Sequence, residues 1–381
     1  MSKKKNIMLV FGTRPEAIKM APLVHKLKAE PEIFNVQVCV TAQHRQMLDQ
    51  VLRIFDIVPD IDLDVMKPGQ DLFDVTANVL QAMKGVFDKN KPDAVLVHGD
   101  TTTTLATAMA GFYAGVPVGH VEAGLRTHNL YAPFPEEFNR QVASRVTRWH
   151  FAPTELSRAN LIAERVDDED ITVTGNTVID ALYWVLNRID ADGDRSAKLT
   201  QSLNQTLPFN WQSGRFVLIT GHRRENFGDG FLQICEALRE LAFKFDDLHF
   251  VYPVHLNPNV QKPVRTILED FSNVHLVEPL DYEPFVYLLK HSYVVLTDSG
   301  GIQEEAPSLG KPVLVMRDVT ERPEAVDAGT VELVGANKER IIAGVSRLLE
   351  DEAHYLKMSY AHNPYGDGRA CDRILAVLRN I

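Results

Sequence analysis

The residues with the clearest chemical potential lie in the segment Asp298–Arg317. Ser299, Gly300 and Gly301 follow an apolar run, Tyr293 to Thr297, that reads as a buried strand. The two glycines then open a helix. Backbone N–H groups at such a helix start can close on a phosphate, and the helix dipole favours the anion. Gln303, Glu304 and Glu305 fill its first turns, and a glutamate one turn in could accept the hydroxyls of a ribose. Phosphate on N–H groups with a diol on a carboxylate describes a nucleotide-sugar site. The competing reading is an ordinary strand-to-helix turn, with the glutamates placed by the dipole alone.

Other polar groups gather at the ends of apolar runs. Gly12-Thr13-Arg14-Pro15-Glu16 closes the first run, and Arg14 and Lys19 could hold an anion there. The segment lacks the G-x-G-x-x-G spacing of a dinucleotide site. Asp100 follows Ala94–His98, where its ordinary role would be a helix N-cap, but the threonines after it supply other caps. Glu122 ends an otherwise apolar strand, a costly place for a carboxylate unless it is paired or functional. Its structural partner would be Arg126 or His120. Glu136 opens a helix after Pro135, where dipole compensation and an i,i+4 pair with Arg140 compete with a chemical role. Converging from adjacent strand ends, Asp100, Glu122 and Glu136 would form a set suited to acid–base chemistry. In the second half, Gly221-His222-Arg223-Arg224 ends a strand, and His222 could meet a pyrophosphate or move a proton. Arg322 follows the Pro312–Met316 run and could reach the same ligand.

These groups need elements to position them. Strand-length apolar runs alternate with helical patterns almost throughout, which predicts α/β architecture with parallel sheets. Strands are expected at 7–11, 36–41, 94–98, 116–122, 149–152 and 171–174, then at 216–220, 248–254, 274–277, 293–297, 313–316 and 331–333. Two series make two Rossmann-like, doubly wound domains, residues 1–175 and 176–366, facing across a cleft. A last helix, 367–381, is expected to pack back on the first domain. The polar stretch Asp190–Asn204 reads as surface. Ligands of such sheets bind outside the carboxyl ends of the strands, the address that all these polar groups share.

Composition sets the outer limits. A length of 381 residues fits two domains better than one core. A net charge of −11 argues against a nucleic-acid partner. Cys39, Cys235 and Cys371 are scattered, with no metal spacing, and suit a reducing compartment. The basic start and the short run Ile7–Phe11 mimic a signal peptide only weakly. No run approaches a membrane span, so a cytoplasmic protein with no membrane partner is expected.

In combination, Phe-Gly-Thr-Arg-Pro-Glu-Ala-Ile-Lys, Thr-Ala-Gln-His-Arg, Val-His-Gly-Asp-Thr-Thr-Thr-Thr, His-Val-Glu-Ala-Gly-Leu-Arg, Pro-Glu-Glu-x-Asn-Arg, Gly-His-Arg-Arg-Glu-Asn and Asp-Ser-Gly-Gly-Ile-Gln-Glu-Glu-Ala resemble the bacterial non-hydrolysing UDP-N-acetylglucosamine 2-epimerases. The likeness runs from about Ile7 to the final helix. It implies a GT-B-like fold, a homodimer, no metal and no cofactor. It also implies reversible epimerisation at C2 of UDP-N-acetylglucosamine to the manno isomer, by elimination of UDP to 2-acetamidoglucal and re-addition. Carried over by motif, Asp100, Glu122 and Glu136 are the acid–base residues, and His222 assists the departing pyrophosphate. Arg14, Lys19, Ser299, Gly300 and Gly301 would hold phosphates, Glu305 the ribose, and Phe285 and Arg322 the rest of the UDP pocket. Gln43, Gln46, Arg223 and His255 match positions where a second UDP-N-acetylglucosamine acts as activator. Lys67-Pro68-Gly69-Gln70 departs from the arginine that some members carry there. The alternatives are a GT-B glycosyltransferase with a UDP-sugar donor and a non-catalytic UDP-sugar sensor. A transferase would need an acceptor groove where the carboxylates lie, and a sensor leaves them unexplained.

Overall fold

The computed structural model describes residues 3–42, 45–67 and 69–381. The chain divides into two compact units. One comprises the residues up to Trp184 together with Tyr365–Ile381, and the other comprises Val185–Pro364.

The first unit is built on a parallel sheet of β1 (Lys5–Phe11), β2 (Phe34–Val40), β3 (Ile61–Asp62), β4 (Ala94–His98), β5 (Val118–Val121), β6 (Trp149–Ala152) and β7 (Ile171–Val173). Their order is β3-β2-β1-β4-β5-β6-β7. The second unit holds β8 (Phe216–Thr220), β9 (His249–Pro253), β10 (Val274–Val277), β11 (Val294–Thr297), β12 (Val313–Val315) and β13 (Val331–Leu333). Their order is β10-β9-β8-β11-β12-β13, and again every pairing is parallel. In each sheet the winding reverses beside the first strand, between β1 and β4 and between β8 and β11. Such switch points open a crevice at the carboxyl ends of the strands.

The central strands form here because both their faces must be covered. Ala-Val-Leu-Val-His of β4 is buried at every position, and Phe-Val-Leu-Ile of β8 likewise. Runs of this kind belong to parallel sheets with helices on both sides.

Some elements differ from the sequence expectation. The two-residue strand β3 pairs only with Cys39 and Val40 at the sheet edge, too short to leave an apolar run. Much of the polar stretch 190–204 is the helix Gly193–Thr206, capped by the Asp192 side chain on the Arg195 N–H at 3.0 Å. The short helices Pro323–Asp327 and Glu352–Ser359 lie where no element was expected. The last helix is shorter than expected, Ala370–Leu378. It starts late because Gly366 and Gly368 adopt positive φ. Asp180 caps it, accepting the N–H groups of Ala370 at 3.1 Å and Cys371 at 2.9 Å. All three cysteines are free and buried. Among the described residues no helix is long and apolar enough to cross a membrane.

Candidate active site

In the first unit the loop after β1 and the loop after β4 are joined by one side chain. Glu16 is fully buried. Its Oε2 accepts the N–H groups of Gly12 at 3.0 Å and Thr13 at 2.8 Å, and the Thr13 hydroxyl at 2.8 Å. Its Oε1 accepts the Thr101 hydroxyl at 2.7 Å. No cation takes part in these contacts, and burial raises the Glu16 pKa above the usual glutamate value. The sequence reading assigned Glu16 no role. The signal was present in the Thr13-x-x-Glu16 spacing of a capping box.

Asp100 follows β4 by two residues and does not cap the next helix. Thr101 does so, accepting the Thr104 N–H at 3.2 Å. The Asp100 carboxylate instead takes Arg140, at 2.6 Å from Nη2 and 2.9 Å from Nε. Arg140 also reaches Glu137 at 3.1 Å. The Glu136–Arg140 pair that would have given Glu136 a purely structural role is therefore absent among the described residues. Arg140 is taken by Asp100 because the parallel strands bring the β4 loop against the first turn of the helix Glu136–Val146. Asn139 confirms that contact, donating to the Asp100 carbonyl at 2.8 Å. Glu136, one turn before Arg140 on the same face, has a buried Oε2 with no hydrogen bond among the described residues.

Glu122 sits one residue past β5 with a positive φ of 64°. Arg126 and His120 hydrogen-bond elsewhere. Arg126 pairs with Glu164 at 2.7 Å, and His120 Nε2 meets the Gly99 carbonyl at 2.7 Å. Glu122 is held by the Lys19 ammonium and by the Asn176 amide at 2.7 Å. Lys19, expected on a phosphate, is thus an ion-pair partner of a candidate acid–base group. Asn176 was not foreseen. His98 Nε2 lies 3.9 Å from the same carboxylate, and burial holds the His98 pKa down to about 4. A Cβ on Gly99 would lie 3.5 Å from Glu122 Oε1, which places Glu122 beside the residue preceding Asp100. Asp100 and Glu122 thus lie at adjoining strand ends, and Glu136 opens the helix whose Asn139 and Arg140 hold Asp100. Arg14 begins the helix Arg14–Lys28, half-buried, with no ion pair among the described residues.

In the second unit the site forms at the β8/β11 switch point. Thr220 and Thr297 are paired in register, so the loops that follow lie side by side. Asp298, wholly buried, accepts the N–H groups of His222 and Arg223, both at 2.8 Å. The His222 ring stacks on His255, with centroids 5.0 Å apart and planes 8° apart. Burial lowers the His222 pKa, with Asp298 opposing that shift and His255 and Arg223 adding to it. Ser299 precedes the helix Gly300–Ser308, and its hydroxyl makes no cap. A Cβ on Gly300 would lie 3.9 Å from Arg223 Nη2 and 4.0 Å from Arg322 Nη2, so two guanidinium groups flank this helix start. Open N–H groups, the helix dipole and two guanidinium groups give this helix start the chemistry to hold an anion. Arg322 is anchored by buried Glu304, a partner the sequence reading did not name. Glu305 receives the Tyr282 hydroxyl at 2.7 Å. A cavity of about 190 Å³ joins His222, His255, Phe285, Ser299 and Ile302.

Of the expected activator residues, Arg223 and His255 belong to this second cluster. Gln46 is exposed on the helix Arg45–Ile54 of the first unit, and Gln43 lies outside the described residues.

Two doubly wound parallel sheets, with two arginines at a glycine-opened helix start in one unit and a set of carboxylates in the other, suit a nucleotide-sugar enzyme of GT-B-like fold. The family model for UDP-N-acetylglucosamine 2-epimerase matches residues 25–379. The UDP-N-acetylglucosamine 2-epimerase of Yersinia pestis is 60% identical over 374 residues, 98% of each chain. That of Escherichia coli K12 is 59% identical over the same share of both chains. The crystal structure of UDP-GlcNAc 2-epimerase from Neisseria meningitidis bound to UDP-GlcNAc matches with a TM-score of 0.90 at 51% identity, covering 99% of this chain and 100% of that one. The chain belongs to the UDP-N-acetylglucosamine 2-epimerase family, and the enzyme is an isomerase.

Proposed function

We propose that the protein interconverts UDP-N-acetylglucosamine and UDP-N-acetylmannosamine by eliminating UDP and adding it back. The C2 proton of the sugar has no adjacent carbonyl to acidify it, so direct removal is unfavourable. In the elimination a carboxylate takes the C2 proton as the C1–O bond breaks. The C–H electron pair becomes the C1=C2 bond of 2-acetamidoglucal, and the C1–O pair leaves on UDP. The UDP oxygen then re-adds at C1, and a proton is delivered to the opposite face of C2.

The observation that carries this reading is the carboxylate set of the first unit. Asp100 is held by an arginine, Glu122 by a lysine and an amide, and Glu136 has an oxygen without a donor. A reaction with both an acid and a base step calls for more than one carboxyl, each in its own setting. In this reading Ser299, Gly300 and Gly301 bind phosphate, Glu305 the ribose, and Phe285 and Arg322 the rest of the UDP pocket, while Arg14 is read as an anion-binding residue of the first unit. Lys19 pairs with Glu122 besides any phosphate contact.

The protein is further read as a homodimer through its first unit. An apolar groove of about 650 Å³ there is lined by Leu72, Phe73, Leu105, Met109, Phe134 and Phe138. Phe73 is 86% exposed, and Phe112 and Tyr113 stand exposed on a neighbouring helix. Contiguous exposed apolar surface of this kind marks an interface. Within the second unit, Arg223 and His255 are assigned to a second UDP-N-acetylglucosamine acting as activator. The buried free thiols suit a reducing cytoplasm.

Incubation with UDP-N-acetylglucosamine in deuterated water, without acceptor or nicotinamide, tests the reaction. Deuterium at C2 of both isomers is the expected result. Formation of the manno isomer without deuterium uptake would exclude proton exchange at C2, and no isomer at all would sink the epimerase reading.

A further inference from the structure

One buried group at the β8/β11 switch point has chemistry that anchoring a loop does not explain. Asp298 Oδ2 holds the N–H groups of His222 and Arg223. An asparagine carbonyl would hold both equally well. The other oxygen, Oδ1, is sealed from solvent and makes no hydrogen bond among the described residues. It lies 3.8 Å from Nδ1 of His222. A buried carboxylate oxygen without a donor is costly and calls for an explanation.

The surroundings of His222 supply one. Its ring is flat against His255, and its side chain is 46% exposed beside the cavity that includes Phe285 and Ser299. The ring edge bearing Nδ1 faces Asp298, which leaves the Nε2 edge for a ligand. The charged and titratable groups facing the ring are Asp298, His255 and Arg223, and of these only Asp298 favours a protonated imidazole.

We propose that Asp298 is a positioning residue for His222, its Oδ1 accepting the Nδ1–H when the diphosphate of a nucleotide fills the pocket. A small tilt of the ring closes the gap to hydrogen-bond length. The pair fixes the tautomer and stabilises the imidazolium, as a carboxylate behind a histidine does in other sites. Nε2–H then donates to the diphosphate oxygen that takes the electron pair when the C1–O bond breaks. His222 keeps its proton throughout, so the step needs no further proton donor. The catalytic part rests on the epimerase reading above, whereas the pairing itself requires only bound UDP.

The test uses the full-length protein labelled with ¹⁵N and UDP as the probe. In the UDP complex of the wild type, His222 Nδ1 should carry a proton at neutral pH. The His222 titration midpoint in that complex should fall by about 1 to 3 pH units in Asp298→Asn. Asp298→Asn should bind UDP within about tenfold of wild type, about 1.4 kcal/mol. Its kcat should fall about 100-fold or more with little change in KM. His222→Asn should fall comparably, and the double variant no further than His222→Asn alone, as for groups acting as a unit. An unprotonated Nδ1 in the wild-type complex, an Asp298→Asn midpoint equal to wild type, or multiplicative losses in the double variant would each overturn the proposal. If Asp298→Asn does not fold, the wild-type spectrum decides by itself. A wild type that fails to epimerise refutes the functional reading and leaves the spectrum to decide the pairing.

Discussion

Glu16 offers the sharpest test of how the first unit holds its site. Its carboxylate is the acceptor for two buried backbone N–H groups, those of Gly12 and Thr13, and for the hydroxyls of Thr13 and Thr101. Glu16→Ala leaves both N–H groups without an acceptor. At about 1–3 kcal/mol for each orphaned group, the loss should be about 2–6 kcal/mol. It also separates the loop bearing Arg14 from the loop bearing Asp100, so turnover should fall along with stability. Glu16→Gln behaves differently. Its carbonyl can keep both N–H groups, its amide can donate to the Thr101 hydroxyl, and the buried charge is removed. It should therefore stay within about 1 kcal/mol of wild type at neutral pH. The pH dependence has a definite sign. Burial raises the folded pKa of Glu16 above 4.5, so its contribution is complete below that value and is lost as pH rises through the folded pKa. Glu16→Gln, with no proton to lose, should not show that decline. Urea unfolding at several pH values, with turnover measured alongside, reads all of this. An Ala variant less than about 1 kcal/mol below wild type, or a Gln variant as unstable as the Ala variant, would refute the reasoning.

The carboxylate variants Asp100→Asn, Glu122→Gln and Glu136→Gln should each cut kcat strongly while UDP affinity, read by calorimetry, stays within about tenfold. Near-normal turnover in all three would remove them from the mechanism. Burial holds His98 and His120 down to about 4 and His150 to about 3. Their folded values lie below the usual histidine value of about 6.5. Their contribution is therefore complete above that value and is lost as pH falls toward 4. His150→Gln should flatten the slope of unfolding free energy in that window by one proton, and an unchanged slope would contradict the assignment. Phe73→Glu combined with Phe138→Glu should convert a dimer to monomers in sedimentation velocity with the fold intact by circular dichroism, whereas a dimer that persists would place the interface elsewhere.

The central runs of β4 and β8 carry their structure in local sequence, because a strand covered on both faces has few polar positions to confuse the pattern. The glycines and the carboxylates were legible for a related reason. A polar or flexible residue directly after such a run has little structural purpose, so Asp100, Glu122, His222 and Gly300 stand out. Edge and surface elements left weaker marks. The strand Ile61–Asp62 is two residues long, and the helix Gly193–Thr206 buries only Leu203 among its side chains.

What the chain by itself determined, then, was the list of chemical groups and their common address at the carboxyl ends of parallel strands. Their partners were decided only by the tertiary structure. Local spacing suggested Arg126 or His120 for Glu122 and Arg140 for Glu136. In the folded unit Glu122 meets Lys19 and Asn176, and Arg140 turns to Asp100. The physical reason is the crossover connection. In a parallel sheet, neighbouring strand ends are separated by a whole helix in sequence, so the charges closest in space are seldom the closest along the chain. The same geometry sets the buried Asp298 carboxylate behind His222 although a full crossover series lies between them.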